Sequence, residues 1–467
     1  MNRSQFSPFL LSALTEENPF ITTDEVERWL KSKNQEVFVD VEKIAFQQLE
    51  NWIFTEDNCK LMHKSGKFFS IDGISVATNW REKNEWEQPI INQPEVGYLG
   101  IITKEFNGIL YFLLQAKIEP GNINSVQLSP TLQATKSNYT KVHGGKAPSY
   151  LEYFTDKKRN IDVLLDQLQS EQGSRFLRKR NRNIIIQVNE TIEQLDNFIW
   201  LTLGQIKKLI LKDNLVNMDT RTVIAGIPYK SYGDLGLNIF KKDPYQAGML
   251  ISSLYDSVSF FSFNQLVAWL TELKCRYDLV VASKSLKSIK HWKITDCEIV
   301  HDEEKYFKVI AAKITISNRE VSSWCQPLVQ PANPGIIAFI VKRIYGVIHC
   351  LVQAKLECGN FDILELAPTV QCLTGNFKKP DYEIPFLELV LNSPAESVIY
   401  DAYQSEEGGR FYQEQNRNMI IEVGDDFPNE VPENYIWMTL SQLNMFMKFN
   451  NYLNIQARSL ISAISFL

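Results

Sequence analysis

The alternation of apolar and polar residues along the chain predicts both strands and helices. Apolar residues flank Asn107-Gly108 in GYLGIITKEFNGILYFLLQAK, and because this dipeptide is typical of a tight hairpin turn, two long antiparallel strands are predicted. RNIIIQV predicts a buried strand, and LTLGQIKKLIL predicts an amphipathic helix. The spacing of isoleucine and leucine in IDVLLDQLQSEQG (161–173) predicts a further helix that ends at Gly173. This order of elements indicates an α+β fold.

A long internal repeat runs through the chain. QAKIEPGN at 115–122 returns as QAKLECGN at 353–360, and 11 of 25 positions are identical between residues 115–139 and 353–377. The correspondence continues through QSEQGSRFLRKRNRNIII and QSEEGGRFYQEQNRNMII, and it ends with RTVIAGI and RSLISAI. Repeats of this length are whole domains rather than the short units of a solenoid, so the chain is predicted to be a tandem duplication.

The repeat predicts the domain boundaries. With 467 residues the chain is too long for one ordinary domain. We expect an N-terminal extension over 1–23, a first domain over 24–228, a linker over 229–263 and a second domain over 264–467. The stretch YKSYGDLGLNIFKKDPYQAG supplies the glycines, prolines and polar residues that are typical of a linker.

Composition disfavours several classes of protein. Hydrophobic residues make up 44% and charged residues 22%, as in globular proteins, and the net charge of −6 gives no attraction to nucleic acid or anionic lipid. The sequence contains no run of about 20 apolar residues, and its first apolar run is short and interrupted, so we expect no secretory signal. The seven cysteines and five histidines lack zinc-site spacing. We expect a cytoplasmic protein with no metal, nucleic-acid or membrane partner.

The repeated octapeptide places polar residues where a buried strand ends. Alternation along the strand puts Lys117 and Glu119 on one face, where they form either a catalytic couple or only an ion pair. Gly121-Asn122 predicts a turn, in which Asn122 could also contact a ligand. The following stretch, VQLSPTLQATKSNYTKVHGG, is rich in the hydroxyls and amides that a sugar ligand requires, although a polar surface loop has the same composition.

The second copy lacks some of these polar groups. It has Thr-Gly and Phe where the first copy has Lys136-Ser137 and Tyr139, and it has no counterpart of His143. A lone histidine is more often structural, but this one lies beside a Gly-Gly turn in a polar stretch. Because proton transfer requires such groups, we expect any chemistry mainly in the first copy.

Other recurring residues have two interpretations. Two arginines of RFLRKRNRN recur and could contact a diphosphate or stabilise the fold. A recurring tryptophan could stack on a nucleobase or pack in the core. These residues are Arg175, Arg182 and Trp86 in the first copy and Arg410, Arg417 and Trp324 in the second.

Through QAKIEPGN, VQLSPTLQATKSNYTKVHGG, YLEYF and FLRKRNRN, the chain resembles the NDP-hexose 2,3-dehydratases of deoxysugar biosynthesis. The resemblance covers both copies. It implies a Nudix-like mixed-sheet domain with flanking helices in each copy, a homodimer, and a substrate such as dTDP-4-keto-6-deoxyglucose. It also implies one working pocket and a second pocket that is a relic of duplication. No redox cofactor is expected, and a 3-ketoreductase is expected to consume the unstable product.

The family's reaction eliminates water, because the C4 ketone acidifies the C3 hydrogen and the C2 hydroxyl lies β to that ketone. The enzyme must supply a base at C3, donors to the enolate and an acid for the departing hydroxide. We assign Lys117 and Tyr139 to the enolate, and Glu119 and His143 to the base and acid in either order. The residues expected to orient the hexose are Asn122, Gln133, Thr135, Ser137, Asn138 and Glu152. The second-pocket candidates are Lys355, Glu357, Asn360, Gln371 and Asn376, together with the three recurring residues above.

Two other functions stay open, namely a non-catalytic NDP-sugar-binding protein and a residual Nudix-type hydrolase. A Nudix hydrolase holds magnesium with the carboxylates of a REXXEEXG helix. The comparable stretch here, DQLQSEQGSR, keeps only Glu171 and Gly173 of that pattern, which disfavours metal-dependent hydrolysis.

Overall fold

The protein was analysed as a computed structural model, which describes residues 7–57, 59–80, 84–136, 147–156, 158–159, 161–229, 244–255, 258–317, 322–373, 375 and 383–466. The helices are α1 (Pro8–Ala13), α2 (Thr23–Gln35), α3 (Leu151–Thr155), α4 (Leu203–Ile210), α5 (Met218–Ala225), α6 (Pro244–Leu254), α7 (Phe263–Arg276), α8 (Leu387–Leu391), α9 (Leu440–Met447) and α10 (Ile455–Ala463). The strands before the linker are β1 (Val39–Ile44), β2 (Trp52–Phe54), β3 (Leu61–His63), β4 (Ser70–Thr78), β5 (Glu85–Asn92), β6 (Gly97–Phe106), β7 (Ile109–Ile118), β8 (Val126–Ser129), β9 (Leu132–Ala134), β10 (Asp162–Ser170), β11 (Arg180–Gln187) and β12 (Phe198–Thr202). The strands after it are β13 (Leu279–Lys284), β14 (Trp292–Ile294), β15 (Glu298–His301), β16 (Phe307–Ile316), β17 (Ser323–Pro331), β18 (Gly335–Ile344), β19 (Val347–Lys355), β20 (Glu365–Ala367), β21 (Val370–Cys372), β22 (Val398–Ser405), β23 (Gln415–Val423) and β24 (Tyr435–Met438).

Each half contains a seven-stranded sheet with the same strand order. In the first half the order is β10-β11-β6-β7-β12, with β9 beside β6 and β8 beside β7. In the second half it is β22-β23-β18-β19-β24, with β21 beside β18 and β20 beside β19. Among the strands that the structure describes, only β6 with β11, and β18 with β23, are parallel neighbours. The repeat in sequence is therefore also a repeat in structure, and the mixture of sheets and helices agrees with the predicted α+β class.

Each half also contributes four strands to a smaller, five-stranded sheet, β2–β5 in the first half and β14–β17 in the second, and the halves exchange one strand each to complete these sheets. Strand β1 of the first half pairs with β16 of the second half, from Val39↔Ile316 to Ile44↔Ala311. Strand β13 of the second half pairs with β4 of the first half along its whole length. Each smaller sheet is thus incomplete without the other half, and the exchange covers strand edges that would otherwise be exposed.

A hydrophobic core shared by both halves lies between these smaller sheets. The rings of Phe176 and Phe411, one from each half, have centroids 5.7 Å apart in this core. The indole of Trp52 donates to the carbonyl of Cys325 (2.8 Å), and the corresponding indole of Trp292 donates to the carbonyl of Glu87 (2.9 Å). Trp52 and Trp292 therefore bury their apolar rings while their N–H groups donate to the other half.

Three predicted elements are confirmed. The hairpin of β6 and β7 turns at Asn107-Gly108, where both residues have positive φ (52° and 78°), as this tight turn requires. RNIIIQV lies in β11 and LTLGQIKKLIL contains α4. Helix α4 begins after Thr202, whose side chain accepts from the backbone of Gln205 in a capping box.

The helix predicted over 161–173 is wrong, because residues Asp162–Ser170 form β10. A bulge interrupts the pairing with β11, since Val163 lies opposite Ile186 and Leu165 lies opposite Ile185. Leu164 is the extra residue, and it shifts the alternation so that the apolar spacing resembles a helical period. Gly173 belongs to the turn that follows this strand.

Part of the predicted linker is helical. Helix α6 occupies residues 244–254, and Gly248 on it lies against the side chains of Ile348 and Arg343 of the second half. Residues 230–243 lie outside the described part of the chain. Among the described residues, no helix has both the length and the apolar character needed to cross a bilayer. The Nudix likeness of each half and the domain boundaries stay predictions.

Candidate active site

Lys117 and Glu119 meet at the end of β7, as the alternation along the strand predicts. The Lys117 Nζ and Glu119 Oε1 atoms are 3.6 Å apart. Gln133 Nε2 donates to the same carboxylate oxygen (2.5 Å), and the backbone N–H of Gly408 donates to the other one (3.1 Å). The carboxylate of Glu119 is therefore held by one side chain of its own half and by the backbone of the other half.

The glycine of the first octapeptide forms a contact between the halves, which we name the first clasp (Gly121 with Gly408 and Gln413). Gly121 donates its N–H to the carbonyl of Gly408 (2.7 Å) and accepts from the N–H of Gln413 (2.7 Å). A Cβ atom on Gly121 would lie 1.6 Å from the carbonyl oxygen of Phe411. Only glycine fits this approach of two backbones.

The second octapeptide forms the reciprocal contact, the second clasp (Gly359 with Gly173 and Arg178). Gly359 donates to the carbonyl of Gly173 (2.7 Å) and accepts from the N–H of Arg178 (2.7 Å). A Cβ atom on Gly359 would lie 1.8 Å from the carbonyl oxygen of Phe176. Each octapeptide therefore docks on the turn that follows the strand β10 or β22 of the other half, and this explains why both copies keep it.

Helix α5 brings Asp219 to the site around Lys117 and Glu119. Asn217 caps this helix by accepting from the Thr220 N–H (2.8 Å), and its Nδ2 donates to Gln133 Oε1 (3.3 Å). Asp219 follows in the first helical turn and is only 3% exposed. Within the described ranges its carboxyl makes no hydrogen bond. Burial, together with the negative charges of neighbouring glutamates, raises its pKa well above the ordinary value.

Glu407 reaches the same site from the second half. Its Oε1 accepts from the Gly409 N–H (3.1 Å), while its buried Oε2 has no hydrogen-bond partner among the described residues. Burial raises the pKa of Glu407 to about 7, against the opposing effect of Arg410, and Glu119 adds to the rise. We name as the first site Lys117, Glu119, Asn122, Gln133, Asp219 and Glu407.

Asn122 lies beside the first clasp with an unused acceptor. Its Nδ2 donates to the carbonyl of Ser125 (3.3 Å). Its Oδ1 is buried without a partner in the described structure and is directed at Gly408, 2.3 Å from the place where a Cβ atom of that glycine would be. A buried acceptor without a donor is costly, so this oxygen indicates a donor other than the residues that the structure describes.

The second half repeats these hydrogen bonds around Glu357. Gln371 Nε2 donates to Glu357 Oε1 (2.9 Å), and Asn454 Nδ2 donates to Gln371 Oε1 (2.6 Å), as Gln133 and Asn217 do in the first half. Glu357 lies against Gly173, since a Cβ on that glycine would be 3.0 Å from the Glu357 Cβ. Burial raises the pKa of Glu357.

Two carboxyls of the first site are replaced by amides in the second site (Lys355, Glu357, Asn360, Gln371, Gln456 and Gln172). Gln456 takes the place of Asp219, and Gln172 takes the place of Glu407. The amide atoms of Gln172, Gln456 and Asn360 are buried, and none has a hydrogen-bond partner in the described part of the chain. The second site therefore has neutral amides at the two positions where the first site has the carboxyls of Asp219 and Glu407.

Sequence reasoning missed Asp219 and Glu407. The signal was available in the repeat, because NMDTR aligns with NIQAR and QSEQGSRF aligns with QSEEGGRF. Comparing the copies at each titratable residue, rather than only at shared residues, would have found both.

The recurring arginines have protein partners, and the charge of Arg410 interacts with that of Glu407 in the first site. Arg175 is buried with its guanidinium carbon 4.1 Å from the ring centroid of Phe307, and its charge interacts with that of Glu357 in the second site. Arg182 forms a bidentate pair with Asp166 (2.7 and 2.6 Å). Their counterparts repeat this, since Arg410 lies 4.4 Å from the Phe69 ring and Arg417 pairs with Asp401 (2.8 and 2.6 Å). The contact of these guanidinium groups with the diphosphate stays a prediction.

The remaining predicted residues are placed as follows. Trp86 on β5 is half-buried beside Cys358 and other apolar residues, with its indole N–H donating to Gln88 (3.0 Å), and Trp324 on β17 is bound to Gln326 in the same way. Thr135 directly follows β9, and Glu152 is exposed on α3. The predicted residues that lie outside the described part of the chain are Ser137, Asn138, Tyr139, His143 and Asn376.

Comparison with known proteins gives a consistent result. The sequence model of a family described as NDP-hexose 2,3-dehydratase matches residues 23–227 and 263–464. A protein of Saccharopolyspora spinosa named dTDP-4-dehydro-6-deoxy-alpha-D-glucopyranose 2,3-dehydratase is 45% identical over 458 residues, which cover 98% of this chain and 94% of the relative. Proteins with the same name from Amycolatopsis orientalis (41% identical; 97% and 93% covered) and Streptomyces violaceoruber (40% identical; 91% and 93% covered) also match.

Proposed function

Because the chain belongs to the NDP-hexose 2,3-dehydratase family, and is thus a sugar-nucleotide hydro-lyase, we propose that its substrate is dTDP-4-keto-6-deoxy-D-glucose. It removes the C2 hydroxyl as water and gives a 3,4-diketo-2,6-dideoxy sugar. The observation that supports this substrate is the shared name of three relatives, each aligned to more than nine-tenths of the chain.

The first site is proposed to carry the reaction. The ketone at C4 makes the C3 hydrogen acidic, and negative charge develops on the C4 oxygen as that proton leaves. Lys117 is the cation at the strand end and stabilises this oxygen, an interaction that in other enzymes contributes about 2.7–4 kcal/mol when it involves one oxyanion donor. Tyr139 and His143 are proposed to act with Lys117 and Glu119 around C2 to C4, as base, acid and second enolate donor.

The hydrogen bonds of Glu119 hold its carboxylate in one position, which is what the proposed catalytic role requires. Each carboxylate oxygen accepts one protein hydrogen bond, from Gln133 or from Gly408, which leaves further lone pairs for the substrate. Gln133 and Asn122 are proposed to orient the hexose, because the first touches Glu119 and the second has a buried acceptor without a donor.

The second site is proposed to be inactive. It keeps Lys355 and Glu357, but the positions of Asp219 and Glu407 hold glutamines, which neither donate nor accept a proton at neutral pH. We further propose that the enzyme is a cytoplasmic homodimer whose product passes to a 3-ketoreductase, as the family resemblance implies.

A trapped-product assay tests the proposal. The enzyme is incubated with dTDP-4-keto-6-deoxyglucose, a 3-ketoreductase and its reductant, and the 2-deoxy product is measured by mass spectrometry for the wild type, Lys117→Ala and Lys355→Ala. We expect Lys117→Ala to lower turnover by about 10²–10³-fold. Lys355→Ala should change it by less than about threefold, given that both variants unfold at the wild-type temperature.

Other outcomes would favour the alternative functions. A wild-type protein that binds the nucleotide sugar but forms no 2-deoxy product and exchanges no C3 hydrogen in deuterated water would be a binding protein. Release of dTMP that depends on added magnesium would indicate a Nudix-type hydrolase. Equal losses of turnover in the two lysine variants would contradict the assignment of chemistry to the first site.

A further inference from the structure

The proton donor of the elimination can be sought in the first site itself. We infer that Asp219, rather than Glu119 or His143, is the acid that protonates the hydroxyl leaving C2, and that Glu407, supplied by the second half, is a positioning residue for it. The inference rests on the proposed dehydration. It assigns the acid to a residue that the sequence did not suggest.

A chain of hydrogen bonds holds Asp219 close to Lys117 and Glu119. Glu119 accepts from Gln133, Gln133 accepts from Asn217, and Asn217 caps the helix whose first turn contains Asp219. Helix α5 therefore cannot move relative to the strand end without breaking this chain. In the described structure the Asp219 carboxyl is buried and has no hydrogen bond of its own, so it is available to a ligand.

The charged groups around Asp219 favour its protonated form. Burial has the largest effect on its pKa, and the charges of Glu119 on β7, Glu171 after β10 and Glu407 from the second half raise it further. Lys117 opposes them. Arg221, two residues further along α5, binds Gln404 (2.7 Å) and the carbonyl of Ser405. A carboxyl that keeps its proton at neutral pH can donate it to a leaving group.

The two halves differ at these two positions although their framework is the same. The second site has Gln456 from the second half and Gln172 from the first half there, and both lack a proton that can be transferred. Because Gln456 is fully buried in a helix that matches α5, the fold accepts an amide at this position. The fold itself therefore does not require a carboxylic acid at the position of Asp219.

Asn122 gives an independent indication that a ligand binds here. Its Oδ1 is buried, lacks a donor within the described ranges and is directed at Gly408, the neighbour of Glu407. A sugar hydroxyl is a donor of the kind that would satisfy it. Asp219, Glu407 and this acceptor then surround the same ligand.

The proposed step balances without a redox partner. The base removes the C3 proton, and the electrons of the C3–H bond form the enolate. As they shift to form the C2–C3 double bond, the C2–O bond breaks and the Asp219 proton joins the departing oxygen as water. During tautomerisation the C3 enol hydroxyl returns a proton to Asp219, and C2 receives a proton from the base.

Asp219→Asn tests the assignment, because it removes the proton and keeps the shape. Two rates are measured on the same enzyme: water loss, by the trapped-product assay, and exchange of the C3 hydrogen of recovered substrate in deuterated water. We expect water loss to fall by about 10²–10⁴-fold while C3 exchange stays within about threefold of wild type. The matched control Gln456→Asn, at the corresponding position of the second half, should leave both rates unchanged.

The results separate the possible roles. Loss of C3 exchange together with water loss would show that Asp219 is the base or maintains the site, and unchanged water loss would show that it is not the acid. If the wild type neither exchanges C3 nor loses water, the proposed function fails rather than this assignment. Thermal unfolding of each variant shows whether the protein is folded.

Glu407→Gln tests the positioning role through a pH profile. This variant copies Gln172, and it removes a negative charge that raises the pKa of Asp219. Water loss requires protonated Asp219 and declines as the pH rises through its pKa, so the alkaline limb of the profile should move to lower pH by roughly one unit. The control Glu56→Gln removes an exposed carboxylate and should leave the limb in place. A limb that stays or moves upward in Glu407→Gln would overturn the positioning role.

Discussion

At the end of β7, Glu119 accepts from Gln133 and from the backbone of Gly408, and at the end of β19, Glu357 accepts from Gln371 and lies against Gly173. The first and second sites therefore share these hydrogen bonds. They differ in their other side chains, since the carboxyls of Asp219 and Glu407 in the first site are amides in the second site. The comparison teaches that the duplicated protein preserves contacts on which both halves depend, and that it varies groups on which only the chemistry depends.

The reason for this division is the reciprocity of the clasps. Gly121 of the first half and Gly359 of the second half each bind a turn of the other half, so a change in either octapeptide disturbs both halves. Asp219 and Gln456 make no such contact, and they can differ without a cost to the fold. The contacts between the halves thus explain why both copies share the octapeptide. The differences between the copies indicate the function.

The largest expected effect is the loss of a clasp. Gly121→Ala and Gly359→Ala should each lower the free energy of unfolding by more than about 3 kcal/mol, because a methyl group cannot fit against a backbone carbonyl. Equilibrium unfolding in urea measures both variants. The control Gly346→Ala introduces a methyl group into open space at a positive φ and should cost only about 1 kcal/mol. If one clasp variant is tolerated and the other is not, the halves do not depend on each other equally.

A smaller effect is expected at a buried acid that only the second half has. Glu365 is almost fully buried, and it accepts from Ser170 of the other half (2.8 Å). In the first half Gln127 accepts from Ser405 (2.9 Å) in its place. Burial raises the pKa of Glu365 from 4.5 to about 7, although Ser170 and Arg458 oppose the rise. The variant Glu365→Gln makes the two halves alike at this position.

This variant should change how stability depends on pH. Between about pH 4.5 and 7 the folded protein keeps a proton that the unfolded chain has lost, so this residue lowers the free energy of unfolding across that window. Above pH 7 Glu365→Gln should be more stable than wild type by up to roughly 3 kcal/mol, and at pH 4 the two should be equal. The reverse variant Gln127→Glu should lose stability above pH 7. Urea unfolding at pH 4 and pH 8 measures the free energy of unfolding of each protein. If the wild type and Glu365→Gln differ by the same amount at both pH values, the titration of Glu365 is not the cause of the difference.

The sequence predicted individual strands and helices better than it predicted which strands pair with each other. The β6–β7 hairpin, β11 and α4 follow from turn chemistry and period, which are local properties. The helix over 161–173 failed because the bulge in β10 gives a strand the spacing of a helix. The pairing of β1 with a strand more than 260 residues away has no local signature, so the exchange could not be predicted.

The site was predicted in part for a similar reason. Lys117, Glu119 and Gln133 share a short stretch and meet in space as expected. Asp219 was missed because an acid in the first turn of a helix is already explained by the helix dipole. Glu407 was missed because it belongs to the other half, which sequence order separates from Lys117. Arg175 stacks on a ring of the other half, a contact that its recurrence in the sequence did not indicate.

The smallest expected effect concerns the arginine pairs of β11 and β23. Arg182 and Arg417 hold Asp166 and Asp401 with nearly equal geometry at half-exposed positions, so Arg182→Lys and Arg417→Lys should each cost less than about 1 kcal/mol. Arg182 also donates to the hydroxyl of Tyr98 (3.1 Å), which the second half lacks at Ile336, so its variant should be slightly the less stable. The KM for the sugar nucleotide should be the same in both variants. A rise of tenfold or more in Arg182→Lys alone would show that this arginine binds the diphosphate, because lysine cannot replace a bidentate guanidinium there.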